Sequence, residues 1–291
     1  MSKQVRKAVL PVAGLGTRFL PVTKTIPKEM LPVLSKPLIQ YAVEEALSAG
    51  IEEILFVHAR GKESIEDYFD YAPDVEIRLQ ESGKKDVLEE IRAIVPEAGK
   101  YAFVRQLNPK GFGHAVLCAR AWIGCEPFAV ILPDDLVMSD TPAIAQMIEA
   151  YDISMGNMPA LLNVPKEETN RYGIINPVSS GDHHKLIKAK GIVEKPHPDS
   201  TPSSLAVLGR YILHPEIFTA LSNQQPGVGG EIQLTDALDA MIPAYGLTGM
   251  VIEGHRFDCG SVEGMVAAQV AFSLKEPKLA SKVKLLINPW L

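Results

Sequence analysis

The chain has 291 residues, 46% of them apolar, with 35 acidic and 29 basic residues and a net charge of −6. That length and apolar content suit one large α/β domain or two modest ones with a substantial core, while the acidic balance argues against a general nucleic-acid coat, which needs a basic excess. The three cysteines, Cys118, Cys125 and Cys259, form no CxxC pair, so a reducing cytoplasm is the expected setting, and with no signal-like segment and no apolar run near about 18 residues, no membrane association is expected.

Residues 7–13, KAVLPVA, are a short apolar run ending in glycines and predict a buried strand. The spacing predicts a helix over 38–49. Gln40, Glu44 and Ser48 recur every four residues on its polar face, and Gly50 sits where a C′ glycine belongs. A strand over 54–59 completes a βαβ unit, which implies a parallel pair with a right-handed crossover. Further strands are expected at 75–79, 102–105 and 128–132, helices over 113–122 and 143–151, and a turn at Pro133-Asp134-Asp135. Residues 159–213 read as short strands and turns, with a hairpin tip at 179–184 and a surface loop at 196–204. Helices return over 215–221, 231–242 and 262–273. The tail, 276–291, is basic and ends in Asn288-Pro289-Trp290-Leu291. The alternation predicts an α/β fold, Rossmann-like, with a mixed, mainly parallel sheet, helices on both faces and a strand-rich insertion that carries part of the site. No linker or repeat divides the chain, so a single domain is expected.

The first informative motif is Gly14-Leu15-Gly16-Thr17-Arg18, directly after the first strand. Glycines there let backbone N–H groups approach a phosphate or a base. The dinucleotide fingerprint fails at Phe19, and no Walker sequence is present. Arg18 on the loop and Lys28 ten residues on could both meet triphosphate oxygens, one as a planar fork and the other as a point charge. Against this stand a ligand-free turn and two solvated cations. Asp134 follows a buried strand, which would hold its carboxylate at the mouth of the sheet and makes it the best metal-ligand candidate. Asp135 reads as a turn residue or helix cap. His114 and Cys118 lie four apart on a helix, but no further ligands complete a zinc set, and His114 reads as structural.

AGLGTRFLPVTKTIPKEMLPV resembles the signature segment of the sugar nucleotidyltransferases. Gln106…Gly111-Phe112-Gly113-His114-Ala115, Leu132-Pro133-Asp134, Tyr172-Gly173, Glu194-Lys195-Pro196, Gly209-Arg210-Tyr211 and Gly230-Glu231-Ile232-Gln233-Leu234-Thr235-Asp236 narrow the resemblance to the bacterial UTP–glucose-1-phosphate uridylyltransferases. It runs from about residue 5 to residue 273.

The resemblance implies the nucleotide-diphospho-sugar transferase fold, with a nucleotide-binding half over about 1–135, a sugar-binding half over about 136–260, and a C-terminal helix and tail over about 261–291. It implies in-line attack of a sugar phosphate on the α-phosphorus of UTP, with Mg²⁺ between Asp134 and Asp258 and with Arg18, Lys28 and Lys195 as the catalytic cations. Ala13, Gly14, Gly16 and Thr17 would bind the nucleotide, and Gln106 and Gly111 would read the base. Uracil and thymine share the edge that a glutamine amide recognises, so thymidylyl transfer stays open. Gly173, Glu194, Gly209 and Glu231 would face the sugar. A glycine inside a strand otherwise marks a bulge, and Glu231 near a helix N-terminus suits the helix dipole whatever else it does. The implied partners are UTP, glucose 1-phosphate, UDP-glucose and pyrophosphate, and a homotetramer or homodimer. A non-catalytic nucleotide-sugar sensor is the alternative from another class.

Two positions depart from the family pattern. His58-Ala59 stands before Arg60-Gly61-Lys62 where a small pair is frequent, and Val262-Glu263 follows Asp258-Cys259-Gly260-Ser261 where a lysine is frequent. The first gives that turn a bulkier lining, and the second removes a charge beside the proposed metal site.

Overall fold

The computed structural model describes residues 5–178 and 185–290; the hairpin tip expected at 179–184 lies outside them. A nine-stranded sheet runs through the molecule. Its first part is parallel. Strand β1 (Lys7–Pro11) pairs with β4 (Glu53–His58) on one side and β6 (Phe128–Ile131) on the other, and β5 (Tyr101–Arg105) extends the sheet beyond β4. Two short strands, β2 (Pro32–Val33) and β3 (Lys36–Pro37), make a separate ribbon between β1 and the first long helix, Leu38–Ser48.

The second part is largely antiparallel. β11 (Leu205–Leu213) pairs with β6 and with β8 (Met158–Asn163). β12 (Thr248–Val251), β10 (Leu186–Glu194) and β9 (Gly173–Pro177) continue the order outward, and β12 with β8 is the parallel pairing there. β7 (Asp135–Met138) leaves the main sheet directly after β6 and pairs with β13 (His255–Asp258) as an antiparallel ribbon.

The period-two alternation of the buried strands places helices on both faces. Ala8, Leu10, Ile54, Phe56, Ala129 and Ile131 pack in one apolar layer with the helices Leu38–Ser48 and Ala143–Ala150. Val9, Leu55, Val57, Phe128 and Val130 pack in the opposite layer with the helices Phe112–Leu117, Ile217–Asn223 and Leu234–Tyr245. A smaller cluster of Val33, Leu38, Leu136, Cys259 and Ala268 seats the β7–β13 ribbon against the helix Val262–Lys275.

Four expectations are corrected. Residues 75–79 lie in the helix Pro73–Glu81. Proline at the first helical turn with Asp74 and Glu76 beside it favours helix, and Val75 and Ile77, which alternate like a strand, are exposed. The helix expected over 113–122 breaks into Phe112–Leu117 and Arg120–Ile123. The helix expected from 231 begins at Leu234, with Gln233 extended before it, so Glu231 lies outside the first turn and has no dipole role there. Asp135 caps no helix: its N–H closes the turn onto the Leu132 carbonyl at 3.2 Å, and it opens β7, buried. The short helices Glu63–Tyr68 and Lys85–Arg92 were not among the expected elements, and the tail folds as the helix Pro277–Ile287, with Glu276 accepting at its N-terminus.

Candidate active site

At the carboxyl ends of β1 and β6, beside the Val207, Leu208 and Gly209 stretch of antiparallel β11, the sheet opens into a cleft of about 850 Å³, the position where ligands enter open α/β sheets. All fifteen residues singled out from the sequence line it: Ala13, Gly14, Gly16, Thr17, Arg18, Lys28, Gln106, Gly111, Asp134, Gly173, Glu194, Lys195, Gly209, Glu231 and Asp258.

The glycine turn is built around Gly16, whose φ of 67° suits glycine and whose carbonyl accepts from Thr23 Oγ1 at 2.8 Å. A Cβ added at Gly16 would lie 3.0 Å from Lys28 Cβ, so the turn rests directly on that lysine. Lys28 is carried by a short 3₁₀ turn whose next residue, Glu29, is fully buried and bonded to Lys62 at 2.6 Å. The Arg60-Gly61-Lys62 segment thus anchors the loop that presents Lys28. Burial raises the pKa of Glu29, against the pull of Lys62 and Lys28.

Lys28 Nζ donates to Asp134 Oδ2 at 2.6 Å. Burial opposes both charges, but each outweighs it for the other: Lys28 is held above its usual value by Asp134 and Glu29, and Asp134 below its usual value by Lys28 and Arg18. Both stay ionised at neutral pH. Below them, buried Arg210 on β11 grips Glu45 at 2.9 and 2.7 Å and the Leu132 carbonyl at 3.0 Å, bracing the chain that enters Pro133-Asp134.

Asp258 ends β13. Its Oδ1 accepts from Gly260 N at 3.1 Å, and its Oδ2 accepts from Arg171 at 3.0 Å and lies 3.9 Å from Arg18. The meeting point is Gly260, where an added Cβ would stand 2.7 Å from Arg18 Nη2, 2.9 Å from Asp134 Oδ2 and 3.1 Å from Asp258 Oδ1. Two carboxylates and a guanidinium therefore surround one small space. Next to it, burial lifts the Cys259 thiol to about 12, which leaves it inert as a nucleophile.

On the side of β5, Gln106 Nε2 donates to the Gly111 carbonyl at 3.2 Å and pairs with His114 Nδ1 at 2.9 Å. Gly111 has a φ of 97°, and a Cβ there would fall 2.7 Å from Glu231 Cβ, so only glycine lets these segments close. On the opposite side, Glu194 at the end of β10 accepts from Thr235 Oγ1 at 2.5 Å, with Lys195 Nζ 3.3 Å from its other oxygen. A Cβ at Gly173 would stand 3.4 Å from Glu194 Oε2, and one at Gly209 would collide with Leu132 and Asp135.

Among the other lining residues, Arg171, Tyr172, Thr235 and Arg256 had been given no role from the sequence, and Asp135 only that of a turn residue or cap. Tyr172 and Thr235 fall inside recognised motifs, but nothing local distinguishes Arg171 or Arg256 from solvated surface cations. Their partners are 87 and 121 positions away in the chain. The His58-Ala59 departure is absorbed internally. His58 is buried, 3.3 Å from Glu66, behind the Lys62 anchor.

A doubly covered sheet with a glycine turn, converging acidic and basic groups and, among the described residues, no activated nucleophile defines an α/β enzyme that handles phosphate-bearing ligands. The nucleotidyl transferase family model matches residues 7–273, and the chain belongs to that family. The UTP–glucose-1-phosphate uridylyltransferase of Bacillus subtilis strain 168 is 46% identical over 281 residues, which span 97% of this chain and 95% of the relative. A UTP-bound UGPase from Acinetobacter baumannii aligns with a TM-score of 0.89 at 43% identity, over 97% of this chain and 98% of that one. A UDP-glucose pyrophosphorylase complexed with UDP-glucose aligns with a TM-score of 0.84 at 45% identity, over 94% of this chain and all of that one. The resemblance read from the motifs and the expected fold class are both borne out.

Proposed function

We propose that this chain transfers the uridylyl group of UTP to α-D-glucose 1-phosphate, giving UDP-glucose and pyrophosphate. Nearly full-length relatives with that activity in their names support it, as do neighbours bound to UTP and to UDP-glucose. The observation in this chain that carries it is the convergence of Arg18, Asp134 and Asp258 on the space at Gly260, inside the cleft that also holds Lys28 and Lys195.

An oxygen of the sugar phosphate attacks the α-phosphorus. The new P–O bond forms as the bond to the oxygen bridging the β-phosphate breaks, and pyrophosphate leaves with that electron pair. Two polyanions must meet, so the protein's contribution is positioning and charge neutralisation. Arg18 and Lys28 bind triphosphate oxygens, with the backbone of Ala13, Gly14, Gly16 and Thr17 against the nucleotide. Gln106 and Gly111 read the uracil edge. Lys195 meets the sugar phosphate. Glu194, oriented by Thr235, accepts from glucose hydroxyls, and Glu231 faces the sugar from beside Gly111, while Gly173 and Gly209 leave room for the ring.

The donor set fits Mg²⁺. Asp134 and Asp258 offer hard oxygens, the gap at Gly260 is a cradle that a Cβ would fill, and one or two carboxylates suffice for an ion that keeps water and phosphate ligands. When bound there, the ion supplies neutralisation of phosphate oxygens. No described helix is long and apolar enough to cross a membrane. A cytoplasmic homotetramer or homodimer, with the chain as a single domain divided near residues 135 and 260, completes the proposal.

The test pairs UTP or dTTP with glucose 1-phosphate or other sugar phosphates in Mg²⁺ and records pyrophosphate release. Fastest release with UTP and glucose 1-phosphate is expected. A preference for dTTP would reassign the base, and UDP-glucose binding without turnover would make the chain a sensor.

A further inference from the structure

Between the sugar side and the metal side of the cleft lies a connected set of polar groups to which no role has been given above. Arg256 Nη1 donates to Tyr172 Oη at 2.9 Å, and its guanidinium lies 5.2 Å from the Tyr172 ring centre. Arg256 Nε donates to Asp135 Oδ1, and Asp135 Oδ2 accepts from the backbone of Gly209 at 2.7 Å. At the other end the Tyr172 carbonyl accepts from the backbone of Lys195 at 2.9 Å. Lys195 has a φ of 47°, which a non-glycine residue adopts only when its surroundings impose it.

Each member is adjacent to a residue of the proposed machinery. Asp135 follows Asp134 in the chain and stands opposite Asp258 in the ribbon register, and Arg256 is two residues before Asp258 on the same strand. Tyr172 precedes Gly173. Arg256 and Asp135 are largely buried, so their pair is shielded from solvent and geometrically defined. Burial disfavours the Arg256 charge, but Asp135, Tyr172 and Asp258 outweigh it and raise its pKa, so the guanidinium stays charged.

We propose that Tyr172, Arg256 and Asp135 form a positioning network that sets the separation between Lys195 and the aspartates Asp134 and Asp258, and so aligns the sugar phosphate with the α-phosphorus. The inference rests on the uridylyl-transfer function proposed above. None of the three residues need touch substrate. In-line attack is sensitive to small displacements of the reacting groups, and the network joins the two walls whose spacing fixes that alignment.

Tyr172→Phe removes one hydroxyl while keeping the ring against Arg256 and the backbone bond to Lys195. Asp135→Asn removes the charge that holds Arg256. For each variant, for the double variant and for the unaltered enzyme, kcat and both KM values are measured, with UDP-glucose and UTP affinities by calorimetry in chelator. Tyr172→Phe should lower kcat about tenfold and weaken UDP-glucose binding about threefold, with UTP KM and affinity unchanged. The double variant should fall no further than the worse single one, as expected of groups acting as a unit. Unchanged kcat and UDP-glucose affinity in Tyr172→Phe, or losses that multiply in the double variant, would overturn the network. If Asp135→Asn fails to fold, Tyr172→Phe alone decides. Absence of turnover in the unaltered enzyme would sink the proposed function and the network together, whereas normal turnover with indifferent variants would sink the network alone.

Discussion

Asp258 stands opposite Asp135 across the β7–β13 ribbon, yet the two carboxylates have different partners. Both oxygens of Asp135 are taken, by Arg256 and by the Gly209 N–H. Asp258 instead points with Asp134 toward the gap beside Gly260. Asp258 accepts at both oxygens as well, from the Gly260 N–H and from Arg171, but it borders the gap with Asp134, which is why these two are the pair proposed for a cation, while Asp135 ties the ribbon to the sheet through Gly209.

Replacing Asp134 with alanine should lower turnover by about a thousandfold or more, the scale of losing a preorganised electrostatic group at a reaction centre. The fold should persist, because the main sheet and its two apolar layers do not depend on this side chain. Steady-state kinetics in Mg²⁺ with circular dichroism checks both parts, and near-normal activity would remove the metal assignment.

Gly260→Ala places a methyl group 2.7 Å from Arg18 Nη2 and 2.9 Å from Asp134 Oδ2. Arg18 is exposed enough to swing aside, but Asp134 is tied to Lys28. A loss of about ten- to a hundredfold in kcat/KM is expected from sub-ångström misplacement of these groups, with little change in unfolding midpoint. Kinetics beside a thermal melt separates this from a folding defect.

The parts of the molecule that were legible in the sequence are those whose cause is local. The apolar run before Gly14 reports β1, the four-residue spacing of Gln40, Glu44 and Ser48 reports the first long helix, and the Gly111 motif reports a close backbone approach. Residues 75–79 misled because their alternation is that of a strand, while Pro73 with Asp74 and Glu76 in the first turn decides for helix. Arg171, Arg256 and Asp135 were illegible for a different reason. An isolated arginine or a second aspartate after a strand is usually solvated or a cap. Their significance lies in partners brought close only when β13 folds back beside β7.

Thr235→Val removes the 2.5 Å hydrogen bond to Glu194 while keeping shape. A freed carboxylate should bind the sugar less well. Its net hydrogen bond is worth about 1 kcal/mol, so KM for glucose 1-phosphate should rise about fivefold with KM for UTP unchanged. Initial rates with each substrate varied in turn test this, and a rise in KM for UTP instead would place Thr235 on the wrong side of the cleft.

His114 gives a pH dependence. Burial, assisted by Lys110, lowers its pKa from the ordinary 6.5. A histidine depressed on folding contributes stability that is fully present above the unfolded value and is lost as pH falls through the folded value. Neutral His114 accepts from Gln106 at Nδ1; protonation removes that acceptor and loosens the amide proposed to read the base. KM for UTP should therefore rise as pH falls below the ordinary imidazole range, and His114→Asn should flatten the dependence. An equal rise in that variant would assign the titration elsewhere.

The most direct test of the central claim, that one cleft brings two anionic substrates together around a divalent ion, is a crystal structure with UDP-glucose and Mg²⁺. The account predicts the uracil against Gln106 and Gly111, the glucose between Glu194 and Gly173, Lys195 on the phosphate, and the ion shared by Asp134 and Asp258. A ligand bound elsewhere, or an ion that avoids both aspartates, would contradict it.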